Sequence, residues 1–179
     1  MDRFEIIDRL RANYGKFADL VASMPEKDFT FSLGGEKWTA GQQTDHLCRS
    51  LAPLNDALKM PALVLKTMFG AADHITASYD ELVARYQDKL AAGGKASPRF
   101  TPEAITFGQR DELLNELRSH LEKLCSEIEM MDEPALDKLM LPHPLIGKLT
   151  LREMFYFTIY HAEHHHLRTA ENLSQRTAF

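Results

Sequence analysis

The segment Tyr160-His161-Ala162-Glu163-His164-His165-His166-Leu167-Arg168 decides the fold, and it holds four of the chain's eight histidines. It continues a row, Met154, Thr158, His161, His165 and Arg168, that advances by four, three, four and three residues. Such steps lie on one face of an α-helix. The row starts among apolar residues, so His161 and His165 are expected to face the interior of a bundle. Upstream, Thr150-Leu151-Arg152-Glu153 reads as the capping box that opens this last helix.

Working outward, the same periodicity recurs three times. Residues 3–24 carry Phe4, Ile7, Leu10, Tyr14, Phe17, Val21 and Met24 at helical steps. Thr39 and Gln42 form a second capping box, opening a helix that turns Leu47, Leu51, Leu54 and Leu58 inward and stops near Lys59, before Pro61. Leu113, Leu114, Leu117, Leu121, Leu124 and Ile128 mark another helix, with Asp111 and Glu112 in its first turn. Residues 61–90 read as one helical region that Gly70 interrupts. Residues 25–38, 93–102 and 132–149 are rich in glycine or proline and read as loops, the second placed to act as a flap. No alternating run is long enough to suggest a sheet, and no fixed-period repeat occurs. The expected fold is all-α, an antiparallel four-helix bundle forming one domain over residues 1–179.

Composition narrows the function. At 179 residues with 44% hydrophobic and 26% charged residues, the chain resembles an ordinary globular protein. Its formal charge of -5 and lack of a basic stripe argue against nucleic-acid binding. No stretch approaches the roughly 20 apolar residues needed to span a bilayer, and Met1-Asp2-Arg3-Phe4-Glu5 is not a leader, so a cytoplasmic protein without membrane partners is expected. Cys48 and Cys125 are expected to be buried, reduced thiols.

The chemistry centres on the histidines. Two imidazoles one turn apart can share a metal ion at about 2.0 to 2.1 Å per nitrogen. A third ligand must come from another helix, and His46, beside the apolar stripe of the second main helix, is the candidate. The set His46, His161 and His165 with an open position suits zinc or nickel, and iron also accepts such ligands. Glu163-x-x-His166 has no second copy, which argues against a di-iron site. Ala162 after His161 breaks the His-Glu-x-x-His protease pattern. His164 and His166 are assigned supporting or surface roles, and His74, His120 and His143 have no partner spacing.

Lys37-Trp38-Thr39 opening a helix with Asp45-His46-Leu47, four bundle helices, and the closing histidine segment together resemble the DinB-like superfamily over nearly the whole chain. The resemblance implies a homodimeric four-helix bundle with a nickel or zinc ion on His46, His161 and His165. It also implies thiol-dependent isomerase or S-transferase chemistry with a low-molecular-weight thiol as cosubstrate, or metal-assisted hydrolysis. The related iron-dependent sulfoxide synthases carry His-x-x-x-His-x-Glu, whereas Leu167 follows His166 here. In this setting Trp38 is expected to anchor the core.

The leading expectation is therefore an enzyme whose metal activates a thiol or water for attack on a small electrophilic substrate. Arg168 and Tyr160 are candidate catalytic residues, as carboxylate binder and hydrogen donor respectively. The alternative is a non-catalytic metal-binding bundle serving as a small-ligand or protein-interaction module.

Overall fold

Capping and apolar periodicity set the helix boundaries in the computed structural model, which describes residues 1–35 and 37–176. Asp2 caps α1 (Arg3–Ala22) by accepting from the Phe4 and Glu5 amides. A short α2 (Glu26–Phe29) follows. The Thr39–Gln42 capping box starts α3 (Ala40–Leu58) as the sequence predicts. The interrupted region resolves into α4 (Ala62–Phe69) and α5 (Tyr79–Ala91), separated by far more than one glycine. The reason is local: Ser78 and Glu81 form a further capping box that starts a new helix. Helix α6 spans Arg110–Met130, and α7 spans Leu151–Arg176.

The four long helices α1, α3, α6 and α7 form the bundle. Hydrogen bonds give their directions. Arg11 meets Glu122 and Arg110 meets the Met24 carbonyl, so α1 and α6 run antiparallel. Gln43 faces His165 and His46 faces His161, so α3 and α7 do too. In contrast, Cys48 meets Leu113 and Asn55 meets His120, which makes α3 and α6 parallel. Met1 meets Tyr156 and Asn13 meets the Ile159 carbonyl, so α1 and α7 are likewise parallel. The antiparallel arrangement expected throughout thus holds for two neighbouring pairs. Parallel α3 and α6 require a long return between them. That return carries α4 and then α5, which climbs along α7.

The 132–149 segment contains a two-stranded hairpin, where the sequence suggested only a loop. Strand β1 (Met140–His143) pairs antiparallel with β2 (Gly147–Thr150) in the register Met140 to Thr150 and His143 to Gly147. Four-residue strands are too short to show alternation, and Pro142 falls on an edge strand, where a missing donor is tolerated. Gly147, at φ 83°, permits the turn back into β2.

Ile7, Leu10, Tyr14, Phe17 and Val21 of the first predicted stripe are buried. Phe4 is not: it is 54% exposed, with the Arg3 guanidinium over its ring. Phe155, Leu47, Leu117 and Leu124 complete the centre of the core. At Gly41, an added Cβ would stand 2.8 Å from Phe29 ring carbons and 2.9 Å from Ile105. Gly41→Ala is therefore expected to destabilise the fold by about 1 to 3 kcal/mol through overpacking, read as a lower denaturant midpoint with unchanged slope.

Candidate metal centre

His46 projects from α3, and His161 and His165 project from the facing side of α7; all three are buried. The antiparallel crossing of these helices brings their Nε2 atoms together. His46 Nε2 lies 3.1 Å from His161 Nε2, which lies 2.9 Å from His165 Nε2. The outer nitrogens are held. His46 Nδ1 donates to the Phe100 carbonyl at 2.7 Å, and His165 Nδ1 donates to Gln43 Oε1. With hydrogens on both Nδ1 atoms, the neutral His46 and His165 rings turn bare Nε2 lone pairs towards His161. His161 Nε2–H can satisfy only one of them.

Burial keeps this set neutral. Desolvation pushes His46 below its ordinary value, with the Phe100 carbonyl acting the other way. It pushes His161 and His165 well below, reinforced by the neighbouring histidines. Three Nε2 atoms of neutral imidazoles converge, with His161 Nε2 3.1 and 2.9 Å from the other two. They are close enough to share one ion at about 2.0 to 2.1 Å per nitrogen once the His161 hydrogen sits on its Nδ1. The residues present fit a divalent cation, and among the described residues these three form the cluster of donors close enough to hold one. The carbonyl and amide behind the rings set their tautomer and orientation, as outer partners do in histidine metal sites.

The cluster lies on the wall of a cavity of about 450 Å³. The cavity runs between the bundle and the long return, with Leu54 and Phe157 on the bundle side, Tyr86 on α5 and Leu141 on the hairpin. The 93–102 loop does cover it: Phe100 lies in the wall, and Lys95 and Arg99 stand at the rim. Trp38 corrects the sequence reading. It is only partly buried and lines the cavity, its ring 4.9 Å from His46 and stacked at 6.3 Å against His165. It precedes the Thr39 cap, so its side chain reaches the open end of α3 rather than the core.

The other candidates fall elsewhere. Arg168 is half exposed and paired with Glu171 at 2.9 Å. The Tyr160 hydroxyl accepts from Gln87 at 2.8 Å. Neither lines the cavity among the described residues. His164 does, its ring 5.1 Å from His165, and burial pushes it down to about 4. Both thiols are buried and free. Burial raises both, Cys125 to about 11, and Cys48 points at the Leu113 carbonyl.

The histidines without partner spacing have specific places. His74 bridges Asp73 and Glu153, His120 sits beside Asn55, and His143 lines the cavity. Pro142 and Pro144, flanking His143, and Gly147 signalled a turn there. Tyr14 also reaches the cavity wall, 1% exposed, and its hydroxyl has no hydrogen-bond partner among the described residues. Removing an unsatisfied buried donor releases its desolvation cost. Tyr14→Phe is accordingly expected to be neutral or stabilising by up to about 1 kcal/mol in urea unfolding.

Known proteins share this architecture. YfiT from Bacillus subtilis, described as "a probable metal-dependent hydrolase with an unusual four-helix bundle topology", superposes with a TM-score of 0.62 at 19% identity, covering 99% of this chain and 88% of YfiT. TT2238, described as a four-helix bundle protein, superposes with a TM-score of 0.53 at 18% identity, covering 99% of each chain. These likenesses establish the fold. A search of curated proteins gave no sequence match. The DinB superfamily model matches residues 9–169, a span that includes α3, α7 and all three clustered histidines. The chain belongs to the DinB superfamily.

Proposed function

We propose that the chain is a metal-dependent enzyme in which His46, His161 and His165 hold one divalent ion, zinc or nickel before iron, beside the cavity. When bound, the ion supplies Lewis-acid activation of a water or a low-molecular-weight thiol at neutral pH. The observation that carries this reading is the convergence of three neutral nitrogens on the wall of a cavity rather than inside a sealed core. An open side is what separates a reactive histidine site from a structural one.

The chain's own groups leave the nucleophile to be supplied from outside. Neither cysteine lines the cavity among the described residues. Ser50 and Thr158 do, but their hydroxyls donate to the His46 and Met154 carbonyls of their own helices. The neutral imidazoles bind and orient, and Trp38, Phe157 and Phe100 exclude bulk water. The apolar lining selects a small, mainly apolar electrophile. The description of YfiT as a hydrolase supports water as nucleophile, while the family resemblance supports thiol transfer.

The test is a chelation and restoration series with 4-nitrophenyl esters, with and without added thiol, alongside absorbance of the cobalt-loaded protein. Turnover should vanish on chelation and return with zinc or nickel. The cobalt spectrum should change on adding a small thiol or anion. Thiol-stimulated turnover selects transfer, and turnover without thiol selects hydrolysis. Cobalt bound with a spectrum inert to every addition, and no metal-dependent turnover, would make the protein a non-catalytic binding module.

A further inference from the structure

His143 sits at the end of β1, where the hairpin tip forms part of the cavity wall. Its Nδ1 is turned into the hairpin and accepts two backbone N–H groups, from Leu145 and Ile146, each at 3.2 Å. A nitrogen facing two donors must present its lone pair, so the hydrogen of the neutral ring resides on Nε2. Nε2 lies across the ring from the turn and has no hydrogen-bond partner among the described residues. The ring is fixed on its other sides, its centroid 4.2 Å from that of Phe157 and 6.3 Å from that of Tyr86. Phe157 in turn stacks on His161 at 4.7 Å. One aromatic ring therefore separates a locked N–H donor from the histidine cluster.

We infer that His143 is a substrate-binding residue whose Nε2–H holds an acceptor oxygen of an otherwise apolar substrate, a carbonyl compound such as a ketone, ester or lactone. The inference rests on the cavity being the substrate site proposed above, and it adds the polar group that such a substrate carries. The geometry suits the task. Most of the cavity wall is hydrocarbon and aromatic, so an unpartnered donor there is selective for a ligand with an oxygen in the matching place. Protonating the ring would put a hydrogen on Nδ1 against the two amides. Burial and the nearby Arg85 also push its pKa down to about 4. The residue thus remains a neutral donor at physiological pH, a form that polarises a carbonyl without giving up a proton.

The test compares acetophenone with ethylbenzene, which lacks the oxygen, as ligands for the full-length protein as purified. His143→Asn retains an acceptor for the turn amides but has no donor at the Nε2 position. His143→Gln retains a donor but gives up the turn acceptor. The ratio of acetophenone to ethylbenzene affinity is expected to be roughly three- to tenfold higher in wild type than in His143→Asn, with His143→Gln between them. Nitrogen-15 spectra should show the His143 hydrogen on Nε2, shifting when acetophenone is added and not when ethylbenzene is. An equal ratio in wild type and His143→Asn, acetophenone that does not bind, or a hydrogen found on Nδ1 would each overturn the inference. These readouts need no turnover, so a protein that lacks metal yet discriminates the ligands refutes the enzyme reading alone. A metal-loaded protein that does not discriminate refutes the role of His143 alone.

Discussion

Replacing Glu153 with alanine is expected to lower stability by about 3 kcal/mol, equivalent to about 6 to 12 °C in the unfolding midpoint for a chain of this size. The side chain is fully buried at the start of α7. Its carboxylate accepts from the Thr150 amide at 2.9 Å, the Ala77 amide at 3.1 Å and His74 Nε2 at 2.9 Å. It therefore caps α7, ties down the segment before α5 and pairs with a histidine at once. Alanine leaves those amides without their acceptor and removes the cap. The lower end of the cost of breaking a buried pair applies because the His74 side chain, 33% exposed, can recover water. Glu153→Gln, which keeps one acceptor oxygen, should fall between wild type and alanine.

The same contact has a pH signature. Hydrogen bonds that His74 donates to Asp73 and then to Glu153 raise it above its ordinary 6.5, so its contribution is complete below that value and is lost as pH rises through the folded pKa. Burial alone would raise Glu153. His74 and the two amides outweigh it and hold the carboxyl below 4.5, so its contribution is complete above that value and is lost as pH falls through the folded pKa. The pair stabilises most between about pH 4.5 and 6.5. The difference in urea stability between wild type and His74→Ala should be largest in that window and shrink on both sides. A difference that does not vary with pH would contradict the pairing.

The second large effect is expected at the histidine cluster. His161 supplies the middle nitrogen, within 3.1 Å of both others. His161→Ala is expected to weaken metal binding by more than about 100-fold, beyond the range seen when only an outer partner is removed. Gln43→Ala removes the acceptor behind His165 and leaves all three nitrogens in place, so it should cost about 10- to 100-fold. This order, ligand before outer partner, is read by competition with a chromogenic chelator. Equal losses in the two variants would mean that the cluster is not the binding site.

Much of the architecture is readable from residue spacing because α1, α3, α6 and α7 each bury an apolar stripe, and capping boxes at Thr39 and Thr150 fix where two of them begin. His46, His161 and His165 are readable for the same reason. Helical periodicity states which face is buried, and the structure brings those two faces, with their three histidines, together. It does not state direction, so the parallel pairing of α1 with α7 and of α3 with α6 had no local signature. Ser78 and Glu81 did carry one, a capping box masked by the apolar residues on either side. The hairpin strands are too short to alternate, which hid the place of His143. Trp38 was misplaced because a tryptophan beside a helix start resembles a core anchor, and only the crossing of α3 with α7 turns it to the cavity.

The central claim is that three neutral imidazoles on two facing helices hold one divalent ion. Elemental analysis of untagged protein, wild type beside His161→Ala, tests it most directly, with circular dichroism confirming that both are folded. The predicted result is about one equivalent of zinc, nickel or iron per wild-type chain and almost none in the variant. Folded wild-type protein that carries no metal and takes up none when zinc, nickel or iron is supplied, or equal metal in both proteins, would contradict it.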